Sequence, residues 1–143
     1  MRNSSSQAQL VLKLHNKYRA IHHAPALTWS SKLASSAHAW ASQCDFKHSG
    51  DRYGENLALG YKDWNAAVGA WYDEGKHYNY NKGGFSIATG HFTQVVWKST
   101  KQLGCAAVTC PKLGGTYYVC QYNPPGNVID VHNAAFKRNV LKP

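Results

Sequence analysis

Residues 104–122 constrain the fold of this chain more than any other stretch. Two β-prone runs, Gly104-Cys-Ala-Ala-Val-Thr-Cys110 and Thr116-Tyr-Tyr-Val-Cys-Gln-Tyr122, flank the turn residues Pro111-Lys-Leu-Gly-Gly115, which is the pattern of a β-hairpin. A loop over 111–114 sets Cys110 opposite Gly115 and Cys105 opposite Cys120, inviting a cross-strand bridge. Cys110 stands at odd spacing from Cys105 and projects from the other sheet face, within reach of Cys44 on a packing helix. The four cysteines include no Cys-x-x-Cys pair and accompany nine tyrosines, five tryptophans and one methionine. They read as two disulfides, and hence as secretion. On spacing alone, four reduced core thiols in a cytosolic protein are the competing reading.

Upstream of the hairpin the period is helical. Ser6-Gln7-Ala8-Gln9 has the form of a capping box ahead of Leu10, Leu14, Tyr18 and Ile21, so a first helix ends before Pro25 and residues 1–6 are left as a flexible tail. Ser30 caps a second helix whose Leu33, Ala37, Trp40 and Cys44 share a buried face. A third follows Asp63, with Ala67, Trp71 and Glu74 on one side. Helices early and strands late give an α+β fold. The 143 residues, 43% hydrophobic and 16% charged, form one domain over 1–143 with no linker or repeat. The polar stretch 79–84 is expected to be mobile, and Asn3-Ser4-Ser5 fits the glycosylation pattern.

Sixteen Lys and Arg against seven Asp and Glu give a net charge of +9, which favours anionic partners such as nucleic acid, acidic lipid surfaces or a polyanionic cell wall. The cations are scattered and no nucleic-acid-binding signature is present, so no nucleic-acid partner is expected. No run approaches the roughly 18 apolar residues of a membrane-spanning helix. The opening residues also lack the apolar stretch of a signal peptide, so secretion implies one already removed. Nothing resembles a coiled-coil seam, and a monomer is expected. The eight histidines form no metal signature, and no Gly-x-Ser-x-Gly or phosphate-binding loop occurs. Two local candidates remain: Gly54-Glu55-Asn56, read as a glycine-led turn, and Gly90-His91-Phe92-Thr93-Gln94.

The second of these opens a longer match. Gly90-His91-Phe92-Thr93-Gln94-Val95-Val96-Trp97-Lys98-Ser99-Thr100 and Tyr118-Val119-Cys120-Gln121-Tyr122-Asn123-Pro124-Pro125-Gly126-Asn127 resemble the two signatures of the CAP superfamily. That superfamily holds the cysteine-rich secretory proteins, antigen five and the pathogenesis-related class one proteins. His15-Asn16-Lys17-Tyr18-Arg19 and Gly54-Glu55-Asn56-Leu57 resemble two shorter family motifs, so the likeness runs in order over about residues 8–129. It implies an α-β-α sandwich with a central antiparallel sheet, secretion, and Cys44–Cys110 and Cys105–Cys120 bridges worth about 2–4 kcal/mol each. The four-cysteine pattern is similar to that of fungal pathogenesis-related members.

The resemblance also implies a central cleft holding His48, Glu55, Glu74 and His91. His48 and His91 would be the ligands of a divalent metal such as zinc, which the function does not require. His15, Asn16 and Arg19 are expected to cap buried loops and carbonyls. The loop carrying Tyr78, Tyr80 and Phe85 resembles the aromatic loop through which sterol-binding fungal members take up ligand. A fatty-acid groove in some relatives maps to the first helix and residues 92–100, where Leu10, Leu14, Val95 and Val96 are more simply ordinary core. Plant relatives release a C-terminal signalling peptide; Pro125-Gly126-Asn127 matches, but the chain then departs into Phe136-Lys137-Arg138-Asn139. The expected function is a secreted, non-enzymatic domain that binds and exports small hydrophobic lipids, sterols before fatty acids, in fungal pathogen–host interaction. Two other readings stay open: a metal-dependent hydrolase with Glu55 or Glu74 as general base, and a basic module for cell-wall polyanions.

Overall fold

Side-chain caps set where two helices begin. Ser30 accepts from the Leu33 amide ahead of α2 (Ser31–Ala41), and Asp63 accepts from the Ala66 amide ahead of α3 (Trp64–Asp73). Each cap satisfies an amide that no helical carbonyl can reach. The computed structural model describes residues 4–143. The first helix, α1 (Ser4–Ile21), starts ahead of Ser6, so Ser6 lies within the first turn and residues 4–6 are helix, not tail. Asn3 and its glycosylation pattern lie outside the described residues.

Two expected helix ends shift. Helix α2 stops at Ala41, and Cys44 follows in a left-handed turn with φ 52°. Short-range bonds from Gln43 N to Trp40 O and Cys44 N to Ala41 O tighten the chain there, so the inward direction of Cys44 comes from this turn and not from helical spacing. Glu74 likewise lies past α3, opening a single 3₁₀ turn, Glu74–His77.

The sheet comprises β1 (Thr28–Trp29), β2 (Gly54–Leu59), β3 (Gln102–Cys110) and β4 (Gly115–Asn123) in the order β1-β3-β4-β2. The β3–β4 hairpin has the register read from the sequence, with Cys105 opposite Cys120 and Cys110 opposite Gly115. Its turn, Pro111–Leu113, is closed by Gly114 at φ 82°, a left-handed position that suits glycine. Strand β2 runs antiparallel to β4, so Gly54-Glu55-Asn56 is a strand start and not a turn. The glycine serves close approach: a Cβ there would collide with the Gln94 side chain. Strand β1 pairs parallel with β3, which makes the expected antiparallel sheet a mixed one.

Alternation along the strands builds two cores. Leu57, Cys110, Tyr117 and Val119 face α2 with Ala37 and Ala41, whereas Leu103, Tyr118, Cys120 and Tyr122 face the layer of Val11, Trp71, Phe92 and Val95. The result is an α-β-α sandwich. Disulfides join Cys44 to Cys110 and Cys105 to Cys120, one bridge on each face. Two short helices, α4 (Gly90–Val95) and α5 (Ala134–Asn139), complete the chain. Phe136 of α5 meets the edge of Trp97 at 4.9 Å.

The polar motif of α1 bolts these layers together. Arg19 donates to the carbonyls of Pro25, Val95, Trp97, Lys98 and Thr100. Asn16 both donates to Leu27 O and accepts from Leu27 N. Leu14, Val95 and Val96 are buried, in keeping with core, and Arg19 itself bridges α1 to the segment after α4.

Candidate functional site

Each of the two histidines expected in the cleft meets a different carboxylate. His48 Nδ1 lies 3.0 Å from Glu55 Oε1, and His91 Nδ1 lies 2.7 Å from Glu74 Oε2. Because a carboxylate accepts, each Nδ1 donates, which makes Nε2 the lone-pair nitrogen of either ring when neutral. The carboxylates are themselves fixed. Glu55 also accepts from the Ser49 amide at 2.8 Å, the Ser49 hydroxyl at 2.7 Å and Gln121 Nε2 at 2.9 Å. Glu74 accepts from the amides of His91 and Phe92 at 3.0 and 3.1 Å, at the start of α4.

These contacts set the electrostatics of the first pair. The Glu55 hydrogen bond raises the His48 pKa above the ordinary histidine value, against the opposing effect of burial. Burial pushes the Glu55 carboxyl up, but its bonds from His48, Gln121 and Ser49 outweigh this and hold it below its usual range. The second pair rests against an aromatic wall: the Trp71 ring stacks on His91 at 6.0 Å and 10°.

The pairs are joined through Asn56, next to Glu55 on β2. Its Nδ2 donates to His91 O at 3.1 Å and to the Tyr122 hydroxyl at 3.3 Å. Tyr122 in turn lies 2.7 Å from His15 Nε2, while His15 Nδ1 lies 3.0 Å from Val11 O. A carbonyl only accepts, so His15 carries its proton on Nδ1 and accepts at Nε2 a hydrogen bond donated by the Tyr122 hydroxyl. Burial holds the His15 pKa down at about 4, and the ring is neutral at pH 7. Ser49, Asn56 and Gln121 were not among the residues the sequence singled out for the site. Asn56 and Gln121 lie inside the matched motifs, but the contact of Gln121 with Glu55 arises from the β2–β4 pairing and that of Asn56 with His91 from the packing of α4 on β2. Gln121 Oε1 is buried without a hydrogen-bond partner among the described residues.

No group of three or more His, Cys, Asp or Glu side chains with metal-binding geometry occurs among the described residues. The donor chemistry agrees with two imidazole ligands at most, since the carboxylates are committed to hydrogen bonds and act as orienting groups behind the rings.

The three aromatics of the 78–85 loop occupy different depths. Tyr78 is 9% exposed and packs on Phe92 at 5.8 Å. Tyr80 meets Tyr78 edge-on at 5.0 Å and lies over His22 at 6.5 Å. Phe85 stands 50% exposed beyond the left-handed pair Gly83 and Gly84, with its ring against Gly90. Asn79 Oδ1 accepts from the amides of Asn81 and Lys82, giving the turn an internal clasp.

Comparison with known proteins places this architecture. The model of the cysteine-rich secretory protein family, CAP, matches residues 12–122. Repressed by EFG1 protein 1 of Candida albicans is 46% identical over 146 residues, covering 95% of this chain and 54% of its own length. Secreted protein RBT4 of the same fungus is 46% identical over 149 residues, covering 95% of this chain and 41% of its own. The chain thus spans about half the length of these relatives or less. Among solved structures, NaASP2 with Zn2+ superposes with a TM-score of 0.76 at 26% identity, over 97% of this chain and 86% of that one.

Proposed function

The chain belongs to the CAP family of cysteine-rich secretory proteins, and from that premise we propose that it is an extracellular carrier of small apolar lipids, sterols before fatty acids. The observation that carries the reading is the half-exposed Phe85 ring. An aromatic side chain half in solvent on a loop just past Gly83 and Gly84, which also carries Tyr80 and the buried Tyr78, offers a flat apolar face to a rigid ring system. The gain scales with the area that leaves water. Phe85 makes direct contact in this account, Tyr80 adds a second aromatic contact, and Tyr78 positions Tyr80 from the core. Secretion is supported by the two disulfides and by the relative named as a secreted protein.

The test is cholesterol affinity in Phe85→Ala. Loss of the ring should weaken binding about tenfold while lowering stability by only about 1 kcal/mol, because half of the ring is already in water. Equal affinity in variant and parent would overturn the loop assignment.

A second property is favoured by the pinned imidazoles. A divalent ion such as zinc would be held by Nε2 of His48 and His91, with Glu55 and Glu74 fixing the rings from behind, as zinc ligands are commonly oriented. Bound there, the ion would supply a Lewis-acidic, water-bearing centre. The zinc in the NaASP2 structure supports the same reading. Calorimetric titration with zinc should show weak binding that His91→Ala abolishes and that acidification weakens, since protons compete at His48. Undiminished zinc binding in His91→Ala would remove this assignment.

A further inference from the structure

Residues 82–90 and 127–133 run side by side and are tied at both ends. Asn133 Nδ2 donates to Lys82 O at 3.2 Å, and Asn127 Nδ2 donates to Gly90 O at 3.0 Å. The Thr93 hydroxyl adds a 2.6 Å bond to Asn127 Oδ1. Between these ties Phe85, Ile87, Val128, Ile129 and Val131 are exposed, three of them strongly: Ile87 at 90%, Ile129 at 74% and Val131 at 73%. Five of the eight exposed large apolar side chains among the described residues thus sit on one pair of laced loops. Such a concentration differs from scattered surface apolars and marks a face that another phase or molecule covers.

The charges around it indicate which. Lys82 opens one loop, Lys137 lies against Gly83, and Arg138 follows it; Asp130 is the acid within these segments and sits 4.0 Å from Arg138. Three cations beside one carboxylate, on a chain of net charge +9, complement an anionic partner. A second copy docked through the same face would set these cations against one another. Aliphatic loop tips ringed by Lys and Arg match the acyl-chain boundary and phosphates of an acidic bilayer.

We propose that this two-loop face docks on an anionic lipid surface, with Ile87, Ile129 and Val131 entering the interface and Lys82, Lys137 and Arg138 meeting lipid phosphates. The inference goes beyond the carrier reading, although Phe85 belongs to both, and it stands without a bound sterol. The test is cosedimentation of the full chain with sterol-free phosphatidylcholine vesicles, with and without phosphatidylserine. Cholesterol binding in detergent solution is measured in parallel. The protein should prefer the phosphatidylserine vesicles by about tenfold or more. Ile87→Asp with Ile129→Asp should lose about tenfold with unchanged thermal stability, since both side chains are in water. Lys82→Gln with Lys137→Gln should lower binding to the anionic vesicles alone.

No binding to phosphatidylserine vesicles, or equal binding by the double Asp variant, overturns the proposal. So does a concentration-dependent dimer that Ile87→Asp abolishes, which would assign the face to a second copy. Vesicle binding without sterol binding keeps the docking face and removes the carrier reading. Sterol binding without vesicle binding does the reverse.

Discussion

Arg19 is buried, and its guanidinium is met by backbone carbonyls of Pro25, Val95, Trp97, Lys98 and Thr100 in place of a carboxylate. Five oxygens, four on the stretch 95–100 and one at Pro25, match the planar fork of arginine and not the point charge of lysine. Arg19→Lys should therefore cost about 3–5 kcal/mol, read from urea denaturation, because it leaves several buried carbonyls and a poorly solvated cation. An unchanged midpoint would contradict this role. His15 adds a pH dependence. Burial lowers its folded pKa from 6.5 to about 4, so the unfolded chain binds the extra proton between those values. Its stabilising contribution is complete above pH 6.5 and falls as the pH drops towards 4, by on the order of 3 kcal/mol. Burial shifts His22 in the same direction. His15→Gln should flatten the stability profile over that window; a slope equal to the parent's would assign acid sensitivity elsewhere. The capping role of His15 and Arg19 was legible as a family likeness, whereas their partners, Tyr122 and Val95 among them, lie far along the chain and emerge only on folding.

The β3–β4 hairpin was readable in full, down to the pairing of Cys105 with Cys120, because its signals are local: alternation on each side of a Pro-Gly turn. Strand β2 was not. Gly54-Glu55-Asn56 is polar at its start and becomes a strand through pairing with β4, more than 60 residues on. The end of α2 escaped for the reverse reason: Cys44 fits a helical face, but the turn after Ala41 decides where its sulfur goes. The four cleft residues follow from the family likeness, Glu55 and His91 within its motifs and His48 and Glu74 outside them, yet that His48 takes Glu55 and His91 takes Glu74 follows from the placement of α4 and β2. The exposed pair of loops gave no periodic signal at all. The two bridges differ in reach, with sequence separations of 66 and 15. Loop-closure entropy predicts that Cys44→Ala with Cys110→Ala costs about 4 kcal/mol, and Cys105→Ala with Cys120→Ala about 3 kcal/mol. Thermal unfolding of the two double variants checks the order.

As a whole the molecule sets a bonded polar cleft beside an apolar loop face, both tied to the N-terminal end of α4. Glu74 holds the amides that begin that helix, and Asn127 ties its first carbonyl to the neighbouring loop. In this account the cleft organises the loops and the loops carry the ligand, so removing divalent ions should leave lipid binding intact. Equilibrium binding of radiolabelled cholesterol to the oxidised protein, with unlabelled sterol and fatty acid as competitors and with EDTA present or absent, tests this most directly. Binding should be saturable, displaced more effectively by sterol than by fatty acid, and equal with EDTA. Absence of saturable binding in both samples would contradict the carrier function and leave the aromatic loop a structural one.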